Sequence, residues 1–190
     1  MTGPLAVLDA IRGRRSIRRF SGRAVAREEI ETLLEAAAHA PNHRLTQPWR
    51  FYVLGERARR RFGEALGARK ARKVEDPGAA QAVLEKVAAE HAALPAMLAF
   101  SMVVPEGAEQ REEDYAATLI AAQNLCLAAM ALGLGTHIKT GAIMDDPAAR
   151  AAVGVPEGER IVATIVLGEP AEVPPPKPRA GAASFTTWVE

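Results

Sequence analysis

Two short segments near the start of the chain hold residues that could do chemistry. In Arg14-Arg15-Ser16-Ile17-Arg18-Arg19-Phe20, four guanidinium groups surround one hydroxyl. Guanidinium forks match phosphate oxygens two at a time, and a serine hydroxyl adds a further hydrogen bond. The set therefore suits a phosphate group, and it equally suits a solvated basic turn at a helix C-terminus, where cations are favoured. The second segment, Ala40-Pro41-Asn42-His43-Arg44-Leu45-Thr46-Gln47-Pro48-Trp49, is a polar loop between prolines. His39, Asn42, His43, Thr46 and Gln47 could hydrogen-bond an aromatic heterocycle or could satisfy one another within the loop. His39 and His43 are four residues apart, but Pro41 breaks the helical face that a metal-binding histidine pair at this spacing needs, so no metal is expected. Further on, Lys177 and Arg179 read as a second phosphate clamp or as linker charge. The glycines of Gly133-Leu134-Gly135-Thr136-His137-Ile138-Lys139-Thr140-Gly141 follow a helix rather than a strand, which excludes a Rossmann turn.

The elements that must position these residues follow from periodicity and punctuation. Leu5, Leu8 and Ile11 recur every three residues and predict a first helix ending near Gly13, so the basic segment leaves a helix end. Residues 28–40 predict a second helix, with Ile30, Leu33, Leu34 and Ala37 on one face and Pro41 closing it. Residues 50–54 read as a strand between Pro48 and Gly55. Residues 57–73 read as a basic helix with Phe62 and Leu66 inward. Asp76-Pro77-Gly78 breaks the pattern, and residues 79–94 read as an exposed, flap-like helix. Residues 97–104 are a continuous apolar run, hence a buried strand. Residues 112–132 carry the longest helical signal, apolar over most of its surface, as suits a core centre or a subunit interface. Gly133-Leu134-Gly135 ends that helix. A short polar strand or turn at 136–140, a small helix at 147–153 and a last core strand at 160–167 complete the order. The tail from 169 to 190 is rich in proline and then aromatic, and Phe185 and Trp188 there call for a partner surface. Interspersed helices and strands predict a mixed α and β class in one domain over residues 1–190.

Composition excludes several function classes. Charged residues make up 25% and hydrophobic ones 48% of the 190 residues, as in a globular protein. The net charge of +1 supplies no global field to draw in nucleic acid or an anionic membrane, and neither is expected as a partner. One cysteine, Cys126, excludes an internal disulfide and a multi-cysteine metal site, and suits a cytoplasmic location. The first residues lack a charged head followed by a long apolar stretch, so no signal peptide is expected. Gln123 and Asn124 interrupt the apolar stretch 116–135, which predicts a buried helix rather than a membrane span.

Taken together, these segments resemble the nitroreductase family of FMN-dependent oxidoreductases over nearly the whole chain. The motifs that carry the resemblance are the basic segment 14–20, Ala40-Pro41-Asn42-His43 with Gln47-Pro48-Trp49-Arg50-Phe51, and Ala121-Ala122-Gln123-Asn124-Leu125 with Gly133-Leu134-Gly135-Thr136. Leu167-Gly168-Glu169-Pro170 and Lys177-Pro178-Arg179 complete the order. The short length, with Asn42-His43 in the loop, is similar to the compact bacterial members of the YdjA type.

The resemblance implies an α+β fold with a central mixed sheet flanked by helices, in an intertwined homodimer with two FMN sites at the interface. It maps Arg14, Arg15 and Ser16, with Arg18, onto the cofactor's phosphate and ribityl chain. His39 and His43 fall at cofactor-contacting positions, Ile138, Lys139 and Thr140 lie next to the flavin, and Arg179 matches a phosphate-binding arginine. The implied reaction is ping-pong: NADH or NADPH reduces the flavin and leaves, and a small-molecule electron acceptor, a nitroaromatic or quinone, is reduced in its place. Catalysis belongs to the flavin, with Lys139 as its electrostatic partner. Thr46 stands where many relatives have Asn, and Lys139 where the compact type often has Arg. A storage or sensing flavoprotein without turnover, and a relative specialised for flavin destruction or dehalogenation, are the alternative functions.

Overall fold

In the computed structural model, which describes residues 7–190, four strands carry the core. They are β1 (Trp49–Val53), β2 (Ala96–Val103), β3 (Gly135–Lys139) and β4 (Glu159–Gly168), in the spatial order β1-β2-β4-β3. The helices are α1 (Val7–Gly13), α2 (Arg27–Ala38), α3 (Glu56–Ala71), α4 (Pro77–Ala92), α5 (Ala108–Ala131) and α6 (Pro147–Val153). Short 3-10 turns lie at His43–Leu45 and Ala182–Phe185. The α+β class holds. The sheet, expected to be mixed, has antiparallel pairing at all three junctions. The connections explain this. The hairpin of α3 and α4 leaves β1 and returns to the same end, so β2 runs back against β1. The single helix α5 leaves β3 running in the same direction as β2, and β4 inserts between the two. The parallel contact is an isolated bridge between Ser16 and Thr136, where the basic segment lies along the free edge of β3.

The strand β2 alternates its apolar residues between two cores, which is why it reads as an unbroken run. Leu98 and Phe100 join Ile165 and Leu167 of β4 against Ala121, Ala122 and Leu125 of α5 and Leu33 of α2. Met97 and Ala99 face the opposite way, toward Phe62 and Ala65 of α3 and Ala149 of α6. Helix α5 begins one turn before the expected start at 112, because its first turn, Ala108 and then the polar residues 109–111, carries no apolar periodicity. No helix among the described residues is long and apolar enough to cross a membrane.

Helix α4 is not a flap. It packs along α3 at two glycines: a β-carbon on Gly63 would stand 2.8 Å from the Val87 carbonyl oxygen, and one on Gly67 would stand 2.8 Å from the Leu84 Cα. Side-chain-free contact of this kind brings two helix backbones together, and periodicity of α4 alone cannot reveal it. Asp76 caps α4, accepting from the Ala79 N–H at 2.7 Å. On α1, Ala10 is buried while Leu8 and Ile11 are 60% and 52% exposed, so the stripe that announced this helix faces outward. Leu5 of the same pattern lies outside the described residues. The tail likewise leaves Phe185 and Trp188 80% and 90% exposed.

Candidate functional site

The basic segment starts where α1 ends. Arg15 Nη1 donates to the carbonyls of Arg12 (2.7 Å) and Arg14 (3.0 Å), which ties one guanidinium to the helix C-terminus. The chain then extends along β3: Ile17 N–H donates to the Thr136 carbonyl at 2.9 Å, and Ile17 is buried. A side chain at Gly135 would collide with Ile17 and would lie 2.9 Å from Pro170 Cγ, so only glycine lets the segment approach this closely. Beyond Phe20, which bridges Pro170, the segment is held to the start of the tail. Ser21 N–H donates to the Glu169 carbonyl at 2.8 Å, and Ala171 N–H donates to the Arg19 carbonyl at 3.0 Å.

This lacing opens a cavity of about 620 Å³ between the basic segment, β3 and the tail. Its walls are Arg12, Arg14, Arg15, Ser16, Arg18 and Arg19, then His137, and then Glu172, Pro174, Pro175, Pro176, Lys177 and Arg179. The cations of the two sequence-distant segments thus face one space, and Glu172 is the acid among them. Arg14 and Arg15 are half-buried, while Arg12, Arg18 and Arg19 are exposed. Arg15 Nε is buried and has no hydrogen-bond partner among the described residues. A buried donor without an acceptor is costly, and an anionic ligand oxygen would relieve it. The chemistry of these walls is that of a phosphate or other multiply charged anion.

His137 is a wall residue that sequence reasoning missed. It stands two positions before Lys139 on β3, and residues so spaced share a strand face, so the alternation was the available signal. Burial holds its pKa below the ordinary imidazole value, with Lys139 and Arg18 adding repulsion. Arg12 and Glu172 were missed for a different reason, since nothing local distinguishes them from surface charge.

Ile138, Lys139 and Thr140 do not line the cavity. Ile138 turns to the α5 core, and Thr140 is exposed beyond the strand. Lys139 is half-buried on the His137 side. Its pKa is lowered by burial and then by Lys70, with Glu90 opposing.

The histidine loop stands elsewhere. His43 Nδ1 lies 2.9 and 3.0 Å from the two carboxylate oxygens of Glu113, near the start of α5. His39 Nε2 lies 3.2 Å from Glu35. Asn42 Nδ2 donates to Thr46 Oγ1 at 2.5 Å, Thr46 Oγ1 donates to the buried carboxylate of Asp114 at 2.6 Å, and Gln47 N–H donates to Asn42 Oδ1 at 3.0 Å. Arg44, Leu45 and Gln47 have φ of 59°, 51° and 43°, in the left-handed region that side chains other than glycine rarely adopt. The cavity lies toward the other end of α5, where Gly13 packs on Met130. Glu113 and Met130 are seventeen residues apart on α5, or about 25 Å at 1.5 Å per residue. Within one chain, therefore, the basic cavity and His43 cannot touch one small molecule.

Residues 11–169 match the model of the nitroreductase family. The chain belongs to that family. As a member it is an oxidoreductase. It is 36% identical over 172 residues to YfhC of Bacillus subtilis, covering 90% of this chain and 88% of that one. It is 30% identical over 168 residues to YdjA of Escherichia coli K12, covering 86% and 87%. Both relatives carry the name NAD(P)H nitroreductase. Among solved structures, a nitroreductase-like family protein from Bacillus cereus superposes with a TM-score of 0.87 at 27% identity, covering 100% of this chain and 99% of that one.

Proposed function

We propose that this nitroreductase-family protein binds FMN and reduces nitroaromatic, quinone or related small acceptors at the expense of NAD(P)H. The observation that carries the reading is the cationic cavity, built from two segments more than a hundred and fifty residues apart, in which Arg14, Arg15, Ser16, Arg18 and Arg179 face one space. A phosphate dianion suits those walls, including Arg15 Nε, which has no hydrogen-bond partner among the described residues. Bound FMN supplies a ring that takes hydride from NAD(P)H and passes the electrons on to the acceptor in a separate half-reaction.

The protein's own residues bind and orient. Arg14 and Arg179 neutralise the phosphate, and Ser16 adds a hydroxyl donor. The segment continuing from His137 borders the ring through Lys139, a half-buried cation at the end of β3, with the backbone of Ile138 and, just beyond the strand, of Thr140 beside it. Negative charge gained in a partly dry site is stabilised more strongly by a fixed cation than it would be in water. His39 and His43, remote from the cavity of their own chain, serve the site of a second copy. This makes the functional unit a homodimer of single-domain chains, and the outward Leu8, Ile11, Phe185 and Trp188 supply apolar surface for it. The lone, buried Cys126 accords with a cytoplasmic setting.

The test is direct. The purified protein should be yellow, release FMN rather than FAD, bleach with NADH or NADPH, and recover its colour on addition of a nitroaromatic or quinone. A colourless protein whose apo form takes up no FMN overturns the reading. FMN binding without steady-state NAD(P)H oxidation would instead favour a storage or sensing protein.

A further inference from the structure

The cavity holds more positive charge than one cofactor phosphate can use. The half-buried Arg14 and Arg15 form its inner wall, whereas Arg19 stands at its outer edge with Lys177 also in the wall. Arg19 Nη1 is 3.1 Å from Glu172 Oε2, and the two side chains are 77% and 59% exposed. An ion pair that exposed contributes little and is readily exchanged. Its backbone is by contrast fixed. The Arg19 carbonyl accepts from Ala171 N–H, and Phe20 bridges Pro170, so the guanidinium is anchored beside the tail while its head remains free to change partner. A guanidinium prefers a phosphate, which offers two oxygens and up to two charges, over one exposed carboxylate.

We infer that this outer edge selects the reductant: Arg19 exchanges Glu172 for the 2′-phosphate that NADPH carries and NADH lacks. The inference rests on the FMN-dependent reading above and adds to it a choice between the two nicotinamide cofactors. Glu172 then acts as an internal competitor. It neutralises Arg19 when no anion is bound and opposes the entry of one. Arg14, Ser16 and Arg179, assigned to the cofactor phosphate, are not needed for the selection.

The experiment uses the FMN-loaded protein. Wild type should show a higher kcat/KM with NADPH than with NADH, through KM. Arg19→Ala should lower the NADPH to NADH ratio of kcat/KM about tenfold, the loss of one charge-assisted contact, with both rates taken per bound FMN. Glu172→Gln should raise the ratio, and Arg19→Lys should restore part of it. Calorimetry provides a readout independent of turnover. Adenosine 2′,5′-bisphosphate should bind the holoprotein more tightly than 5′-AMP, and that difference should shrink with added salt and in Arg19→Ala. Equal use of NADH and NADPH by a yellow, active protein would overturn the inference. So would a ratio unmoved by Arg19→Ala, or one lowered by Glu172→Gln. A protein without FMN would instead overturn the function on which the inference rests, and FMN content separates the two failures.

Discussion

At the scale of single residues, the two ends of the proposed cofactor contact place different demands on their cations. Arg14 is half-buried in the inner wall of the cavity, where a charge-assisted contact to phosphate is worth roughly 1.5–3 kcal/mol. Arg14→Ala should therefore weaken FMN binding about tenfold or more, measured by titrating the apoprotein and following flavin fluorescence. Unchanged affinity would remove Arg14 from the assignment. Lys139 has the opposite task. It lies past the cavity wall on β3, where burial and Lys70 already make its charged form costly. If it borders the ring, Lys139→Met should make bound FMN harder to reduce, with a more negative midpoint potential and slower bleaching by NAD(P)H. Its effect on FMN affinity should be smaller than that of Arg14→Ala. A potential that does not move would assign the role to a backbone N–H instead.

At the scale of elements, the α3–α4 hairpin is the part most exposed to a single methyl group. Glycine inside a helix ordinarily costs about 1 kcal/mol relative to alanine, so an exposed glycine would gain from replacement. At Gly67 the added carbon meets the Leu84 backbone at 2.8 Å, and backbone cannot swing aside. Gly67→Ala should accordingly lower stability, by roughly 1–3 kcal/mol, in urea unfolding monitored by circular dichroism. The same hairpin buries His91, whose Nδ1 bonds the Val87 carbonyl at 2.8 Å while Nε2 has no partner among the described residues. Burial lowers the pKa of this ring below its ordinary value of 6.5, and Lys139 and Lys70 add repulsion that Glu90 and the Val87 carbonyl oppose. The unfolded chain then binds a proton that the folded chain refuses. Stability is full above the unfolded pKa and falls as pH drops below about 6.5 toward the lowered folded value. Melting temperature should decline between pH 7.5 and 5.5, and His91→Gln should shrink that decline. His137, shifted in the same direction, should keep some of it. A pH slope identical in His91→Gln and wild type would acquit His91.

At the scale of the whole molecule, apolar surface and site geometry lead to the same expectation. Val7, Leu8 and Ile11 on α1, Ile120 on α5, and Phe185, Trp188 and Val189 in the tail are exposed in the single chain. Exposed apolar side chains of this kind are what an interface between two chains would bury. Independently, His43 lies about 25 Å along α5 from the cavity end, so a ligand touching both must draw them from two chains. Light scattering over a dilution series should report a dimer, and Trp188→Ala should raise its dissociation constant. An FMN-loaded monomer at micromolar concentration would contradict both arguments.

The elements were largely legible in the sequence because their signals are local. β2 is apolar at seven of its eight residues, α2 has a clean apolar face, and Gly133 ends α5 by adopting φ of 70°. The basic segment was legible too, since four arginines around one serine state their chemistry through residue type alone. By itself, though, that segment suited a surface turn as well as a phosphate site. Only the tertiary structure could bring Lys177 and Arg179 opposite it, because that placement depends on Gly135 letting residues 16–17 lie against β3 and on Glu169 to Ala171 tying the tail beside Arg19. The antiparallel sheet, the close seam of α3 on α4, and the separation of His43 from the cavity are of the same kind. Each is set by contacts between residues far apart in the chain, for which no local pattern exists, whereas helix, strand and turn are set by neighbours that the sequence already lists in order.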